Sequence, residues 1–170
     1  MYRSGHYGVA LLAYAPVLYA LSSAGRVAAA ATGLGIVLAL TPLPDADHDV
    51  PVIDHRGVTH TLLFAVVVGV AVGGAAWLVA GPSGLSLVPD RAVELAAGAG
   101  GAAALAVLAH LLADALTPMG VAALWPLSSE RYSLGLTPAD STGWNAGLFA
   151  LGVFATAVAA MLASPLSQFT

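Results

Sequence analysis

Thr59–Ala80 reads THTLLFAVVVGVAVGGAAWLVA, and from Thr61 onward it holds no Asp, Glu, Lys, Arg or His. A helix needs roughly 17–25 mostly apolar residues to cross the hydrocarbon of a bilayer, and this run is long enough. A helix apolar on every side belongs either in the middle of a large protein or in lipid. A chain 59% hydrophobic and 8% charged can hide its apolar surface only in lipid, so the stretch predicts a membrane-spanning helix.

Four more segments of the same kind flank it. Tyr7–Ala24 comes first, with Pro16 as a site for a kink. Its retained apolar run, followed at once by further spans, is unlike a cleaved leader. Val27–Pro42 is the second and ends at Pro42 and Pro44. After Thr59–Ala80, closed by Gly81-Pro82, Asp90 stands where a cap would open Arg91–Leu116. Trp144–Ala163 is the last. Gly69, Gly73, Gly98, Gly100 and Gly101 are small residues at spacings that allow close helix approach. The expected fold is all-α: one integral-membrane helical bundle over residues 1–170, with about five transmembrane helices in the cell (inner, cytoplasmic) membrane.

Composition agrees. The chain is 59% hydrophobic and 8% charged, with a mean hydropathy of +0.88; a soluble domain is about 25% charged. A net charge of −4 with five arginines and no lysine offers no basic footprint for nucleic acid. The absence of cysteine excludes disulfides and thiolate metal sites. Any metal must then be held by His, Asp or Glu, which favours zinc, with manganese or iron as alternatives.

Against this background the polar residues are concentrated. Four of the five histidines fall in Asp45-Ala46-Asp47-His48, His55-Arg56-Gly57-Val58-Thr59-His60 and His110-Leu111-Leu112-Ala113-Asp114. His110 and Asp114, four apart on a helix, project from one face and can present nitrogen and oxygen to one cation. A His–Asp hydrogen bond at the helix end is the plainer alternative. Asp45, Asp47 and His48 suit a metal loop in which one group serves as general base or stands behind a ligand. If the third helix starts near residue 56, Arg56 and His60 share a face, as do His55 and Thr59. Arg56 is suited to a phosphate or carboxylate, or else lies in the headgroup region. Arg131 could bind an anion near a lid that includes Trp125 and Tyr132, or these aromatics could form an interfacial belt with Trp144. His6, at the entry to the first helix, reads as a ligand or as an interfacial histidine.

With five crossings, His6, the Asp45–His60 stretch and the His110/Asp114 pair all fall at one membrane face, the basis for a single assembled site. Arg3, Arg56 and Arg131 on that side, against Arg26 and Arg91, lean it toward the cytoplasm. Ionisable groups at membrane depth are costly and functional by default. The set exceeds the needs of one metal, and two-metal sites of this kind are typical of phosphoester hydrolysis.

The series Leu43-Pro44-Asp45-Ala46-Asp47-His48, His55-Arg56-Gly57-Val58-Thr59-His60, His110 to Val121, and Leu124-Trp125-Pro126-Leu127 with Arg131-Tyr132-Ser133 resembles the YdjM-type family. Members are described as membrane-bound metal-dependent hydrolases, some under LexA control, and are distantly grouped with zinc-dependent phospholipase C and P1 nuclease. That resemblance implies His110, Asp114, His60 and an aspartate from Asp45–Asp47 at a first metal, with His6 joining Asp114 at a second. No second His-x-x-x-Glu helix is present to complete a trinuclear cluster.

The expectation is a metal-dependent hydrolase of a phosphoester in a lipid or lipid-linked substrate, using metal-activated water and one or two zinc ions. His6, Asp47, His55, His60, His110 and Asp114 are the candidate ligands. His48 and Thr59 stand behind them, and Asp45, Asp47, Arg56 and Arg131 are the candidate catalytic groups. The alternative is a non-catalytic membrane metal-binding or transport protein. Ligands clustered at one face, without paired broken helices, speak against transport.

Overall fold

The apolar runs become five α-helices: α1 Arg3–Ser23, α2 Val27–Leu40, α3 Leu62–Ala80, α4 Ala92–Ala115 and α5 Thr142–Leu162. The structure, a computed structural model, describes residues 1–49, 57–81 and 89–164. α1 lies against α2, α4 and α5, while α3 packs on α4. Successive helices alternate in direction, which brings the starts of α1, α3 and α5 to the same end as the finishes of α2 and α4. At the opposite end Arg26, ahead of α2, pairs with Glu94 in the first turn of α4.

Among the described residues, four helical stretches are long and apolar enough to cross a membrane: Val27–Ala46, α3, α4 and α5. Val66, Val70 and Leu78 on α3 are 59%, 69% and 58% exposed, and Phe154 and Met161 on α5 are exposed as well. Such a surface is stable only where lipid is the solvent. α1 has comparable length at 21 residues, but Arg3, Ser4, His6 and three tyrosines lower its hydropathy. Packing accounts for the difference. Val9, Ala10, Leu11, Tyr14, Ala15 and Leu18 of α1 are buried against its neighbours, and the buried Tyr14 hydroxyl donates to the Ala30 carbonyl of α2 at 2.8 Å.

Glycines set the closest approaches. A Cβ on Gly73 would stand 2.9 Å from the Ala96 carbonyl oxygen, and one on Gly100 would stand 2.6 Å from that of Gly69. α3 and α4 therefore meet backbone to backbone. Gly98 and Gly101 do not share this role, because a Cβ on either meets nothing within 4 Å.

Two local expectations are corrected. Asp90 does not cap α4: it sits in a 3-10 turn, Pro89–Arg91, and Arg91 is the N-cap residue without a side-chain cap bond. Side-chain caps occur instead at Thr61 for α3 and Ser141 for α5. Nor does α3 begin near residue 56. Val58–His60 form a separate 3-10 turn, and extended Thr61 accepts from the Phe64 amide at 3.0 Å to start the helix at Leu62. His60 is thereby held by a tight turn rather than by a helix face.

The loop after α4 seals that helix's end. Leu134 N–H donates to Ala115 O at 2.7 Å and Leu136 N–H to Leu116 O at 2.8 Å, satisfying carbonyls that a helix C-terminus leaves open. Val121 and Tyr132 form an isolated antiparallel bridge across the loop. Gly120 at φ +62° turns the chain beside it, where a Cβ would press on the Tyr132 carbonyl.

Candidate metal centre

Among the described residues, five ionisable side chains meet where those helix ends converge. His6 comes from the start of α1, Asp45 from the 3-10 turn Leu43–Asp49 after α2, His60 from the turn before α3, and His110 and Asp114 from the end of α4. His60 and His110 are fully buried, Asp114 is 1% exposed and His6 3%. The ligand atoms of His6, Asp45 and His110 lie within 4.8 Å of one another, and so do those of His60, His110 and Asp114.

Asp45 Oδ1 is 3.5 Å from His60 Nε2 and 3.4 Å from His110 Nε2. Asp114 Oδ2 is 3.5 Å from His60 Nε2 and 3.7 Å from His110 Nε2. Its other oxygen, Oδ1, faces His6 Nε2 at 3.4 Å and the Met1 amine at 3.8 Å. Asp114 thus presents one oxygen to each side of the cluster. The rings of His6 and His110 stack with centroids 4.0 Å apart.

The far nitrogen of each imidazole fixes how the ring points. His110 Nδ1 is 2.8 Å from the Thr41 carbonyl oxygen, and His6 Nδ1 is 3.1 Å from that of Tyr2. Carbonyls only accept, so each Nδ1 donates, and each Nε2 is turned toward the carboxylates. His60 Nδ1 is 3.0 Å from the Thr59 hydroxyl, which can accept in the same way. Outer oxygen partners of this kind orient metal-binding histidines.

This donor set fits a divalent ion. The Nε2 atoms of His6 and His110 are buried and make no hydrogen bond among the described residues. Leaving a buried polar atom so costs about 1–3 kcal/mol, and the buried Asp114 and half-buried Asp45 set carboxylate oxygens beside these nitrogens. Separations of 3.4–3.7 Å exceed the 2.7–3.2 Å typical of a hydrogen bond. They are close to the ~3.3–3.6 Å edge of a tetrahedron whose ligands sit ~2.0–2.2 Å from zinc. Buried His and Asp groups here could hold a metal ion.

Other candidates take different places. His55 and Arg56 lie outside the described residues, and of Asp47 and His48 only the backbone, in the turn after α2, is described. Arg131 is exposed in the long loop and makes no ion pair with the cluster. Thr59 stands behind His60. Replacing it with Val is expected to weaken metal affinity by about 10–100-fold, the usual cost of losing an outer partner. Competition with a fluorescent chelator checks this, and unchanged affinity would show that Thr59 does not orient the ring.

Sequence reasoning missed Asn145. Buried on α5, it accepts from the Tyr2 amide at 2.9 Å and donates to Ala139 O and Ser141 O at 3.2 and 2.8 Å. Because Tyr2 O in turn receives His6 Nδ1, Asn145 fixes the start of α1 that carries His6. Its partner lies 143 residues away in sequence, a relation that no local pattern signals.

Residues 1–168 match the model of the YdjM inner membrane protein family. The chain belongs to that family. It is accordingly a multi-pass inner-membrane protein, in agreement with its helices. No curated protein matches the chain, and no solved structure matches it. The distant resemblance to phospholipase C and P1 nuclease therefore gains no support from these comparisons.

Proposed function

We propose that this family member is a membrane-bound, metal-dependent hydrolase acting on a phosphoester of a lipid or lipid-linked substrate. The observation that carries the reading is the convergence of three imidazole Nε2 atoms on Asp45 and Asp114 at 3.4–3.7 Å. Asp45, His60, His110 and Asp114 would hold one ion, and His6 with Asp114 Oδ1 a second, zinc suiting the donors best. The chemistry such ions supply when bound is Lewis acidity toward water and toward a phosphoryl oxygen.

The chain's own residues do the rest. Thr41 O, Tyr2 O and the Thr59 hydroxyl keep the imidazoles in the tautomer that binds. Asp45 fits a ligand's place better than a free base's, since its Oδ1 faces two Nε2 atoms. That leaves Asp47 as the candidate proton acceptor. Placement at a helix-end face of the bundle supports a substrate whose headgroup lies at the bilayer surface.

The test is to purify the protein in detergent, measure bound metal, and assay phosphomonoester, phosphodiester and phospholipid substrates before and after chelation. Stoichiometric metal with chelator-sensitive hydrolysis is the expected result. Bound metal without hydrolysis of any substrate would favour a non-catalytic metal-binding role, and no metal under any loading condition would end the reading.

A further inference from the structure

α5 contains no His, Asp or Glu and gives the cluster no ligand, yet it grips the piece of chain that carries His6. Asn145, in its first turn, is 1% exposed. Its Oδ1 accepts from the Tyr2 amide at 2.9 Å, and its Nδ2 donates to Ala139 O and Ser141 O at 3.2 and 2.8 Å. Only this orientation of the amide satisfies all three partners. Turned over, it would set oxygen against two carbonyls and N–H against N–H. Tyr2 is the N-cap of α1, so its N–H has no partner within the helix and Asn145 supplies one. The Tyr2 carbonyl then accepts the His6 backbone N–H at 3.3 Å and His6 Nδ1 at 3.1 Å. Glycines allow the close approach: a Cβ on Gly5 would collide with Asn145 Oδ1, and one on Gly8 with the Leu148 backbone. His60 and His110 are oriented elsewhere, by the Thr59 hydroxyl and the Thr41 carbonyl.

We infer that Asn145 is a positioning residue for metal binding that acts on His6 alone, through the Tyr2 backbone. The inference deepens the proposed hydrolase reading and rests on its metal site. His6 can offer Nε2 to an ion beside Asp114 Oδ1 only while its ring keeps the present orientation, and Nδ1 on the Tyr2 carbonyl sets that orientation. Tyr2 in turn is fixed by the buried bond to Asn145 and by its hydroxyl on Asp140 O, which is exposed. The chain of contacts runs from α5 to one imidazole. It leaves Asp45, His60, His110 and Asp114 on elements that Asn145 does not touch.

A double-mutant cycle on zinc affinity, measured by chelator competition on the detergent-solubilised full chain, tests this. Asn145→Ala is expected to weaken zinc binding about tenfold, the lower end of what losing an outer partner costs. In a His6→Ala background the same substitution should cost nothing further, because independent effects add and effects through one residue do not. Asn145→Ser keeps a hydroxyl for Ser141 O but is too short for the Tyr2 amide. It should behave like Asn145→Ala and replaces it in the cycle if that variant does not fold. Histidine 15N NMR of the metal-free protein reads the ring directly, with His6→Ala assigning its signal. The His6 signal is expected to move in Asn145→Ala as Nδ1–H loses the Tyr2 carbonyl. If wild type binds no zinc, the metal reading fails and this spectrum decides the inference. Equal losses in both backgrounds would mean that Asn145 only supports the fold. That result, wild-type affinity in Asn145→Ala, or an unmoved His6 signal overturns the inference.

Discussion

Asp114→Asn protein is expected to carry no stoichiometric divalent metal under loading that saturates the wild type. Asn keeps the side chain's shape and removes the charge, so the change isolates the carboxylate's electrostatic and donor role. Asp114 directs its two oxygens to both sides of the cluster, Oδ1 toward His6 and Oδ2 toward His60 and His110. In the variant an amide would face those imidazoles. Loss of a partner that only orients a ligand costs about 10–100-fold in affinity, so loss of this shared carboxylate should exceed ~100-fold. Asp140→Asn, at an exposed loop position, is the matched control. Metal content by mass spectrometry decides the matter, and wild-type content in Asp114→Asn would mean that the cluster is a hydrogen-bonded core and not a metal centre.

Much of this arrangement was legible before any coordinates. Uninterrupted apolar runs fixed five helices to within a few residues, because in lipid the backbone must satisfy itself and an apolar run of that length has no other stable form. Alternation of those helices then brought His6, His60, His110 and Asp114 to one end, as the structure finds. What escaped were relations that depend on rotation about a helix axis or on backbone atoms. The Thr41 carbonyl that orients His110 has no signature in a sequence. In the sequence Arg3 is one more charge, and only the packing of α1 beside the end of α2 puts it near Thr41, Pro42 and Asp45. Asp90 had the chemistry of a cap, but the 3-10 turn at Pro89–Arg91 put Arg91 in the capping position instead.

The glycines of α4 provide the second large effect, for the same reason. Gly98, Gly100 and Gly101 are equivalent by composition, yet a side chain on Gly100 would stand 2.6 Å from the Gly69 carbonyl oxygen while the other two open onto empty space. A backbone atom cannot swing aside as a flexible side chain can, so Gly100→Leu must push α3 away from α4. Overpacking of this kind costs about 1–3 kcal/mol or more, a fall of roughly 5 °C or more in the unfolding midpoint. Gly98→Leu and Gly101→Leu are expected to be neutral or stabilising, since leucine is the better helix former by up to ~1 kcal/mol and lipid accepts it. The displacement should also reach the metal centre, because His110 and Asp114 ride on α4 while His60 sits just ahead of α3. Thermal unfolding of the three variants in one detergent, with zinc affinity measured on each, tests both statements. Equal midpoints for Gly100→Leu and Gly98→Leu would show that the two helices are not in backbone contact. A lowered midpoint with wild-type zinc affinity would show that the cluster tolerates the shift of α3.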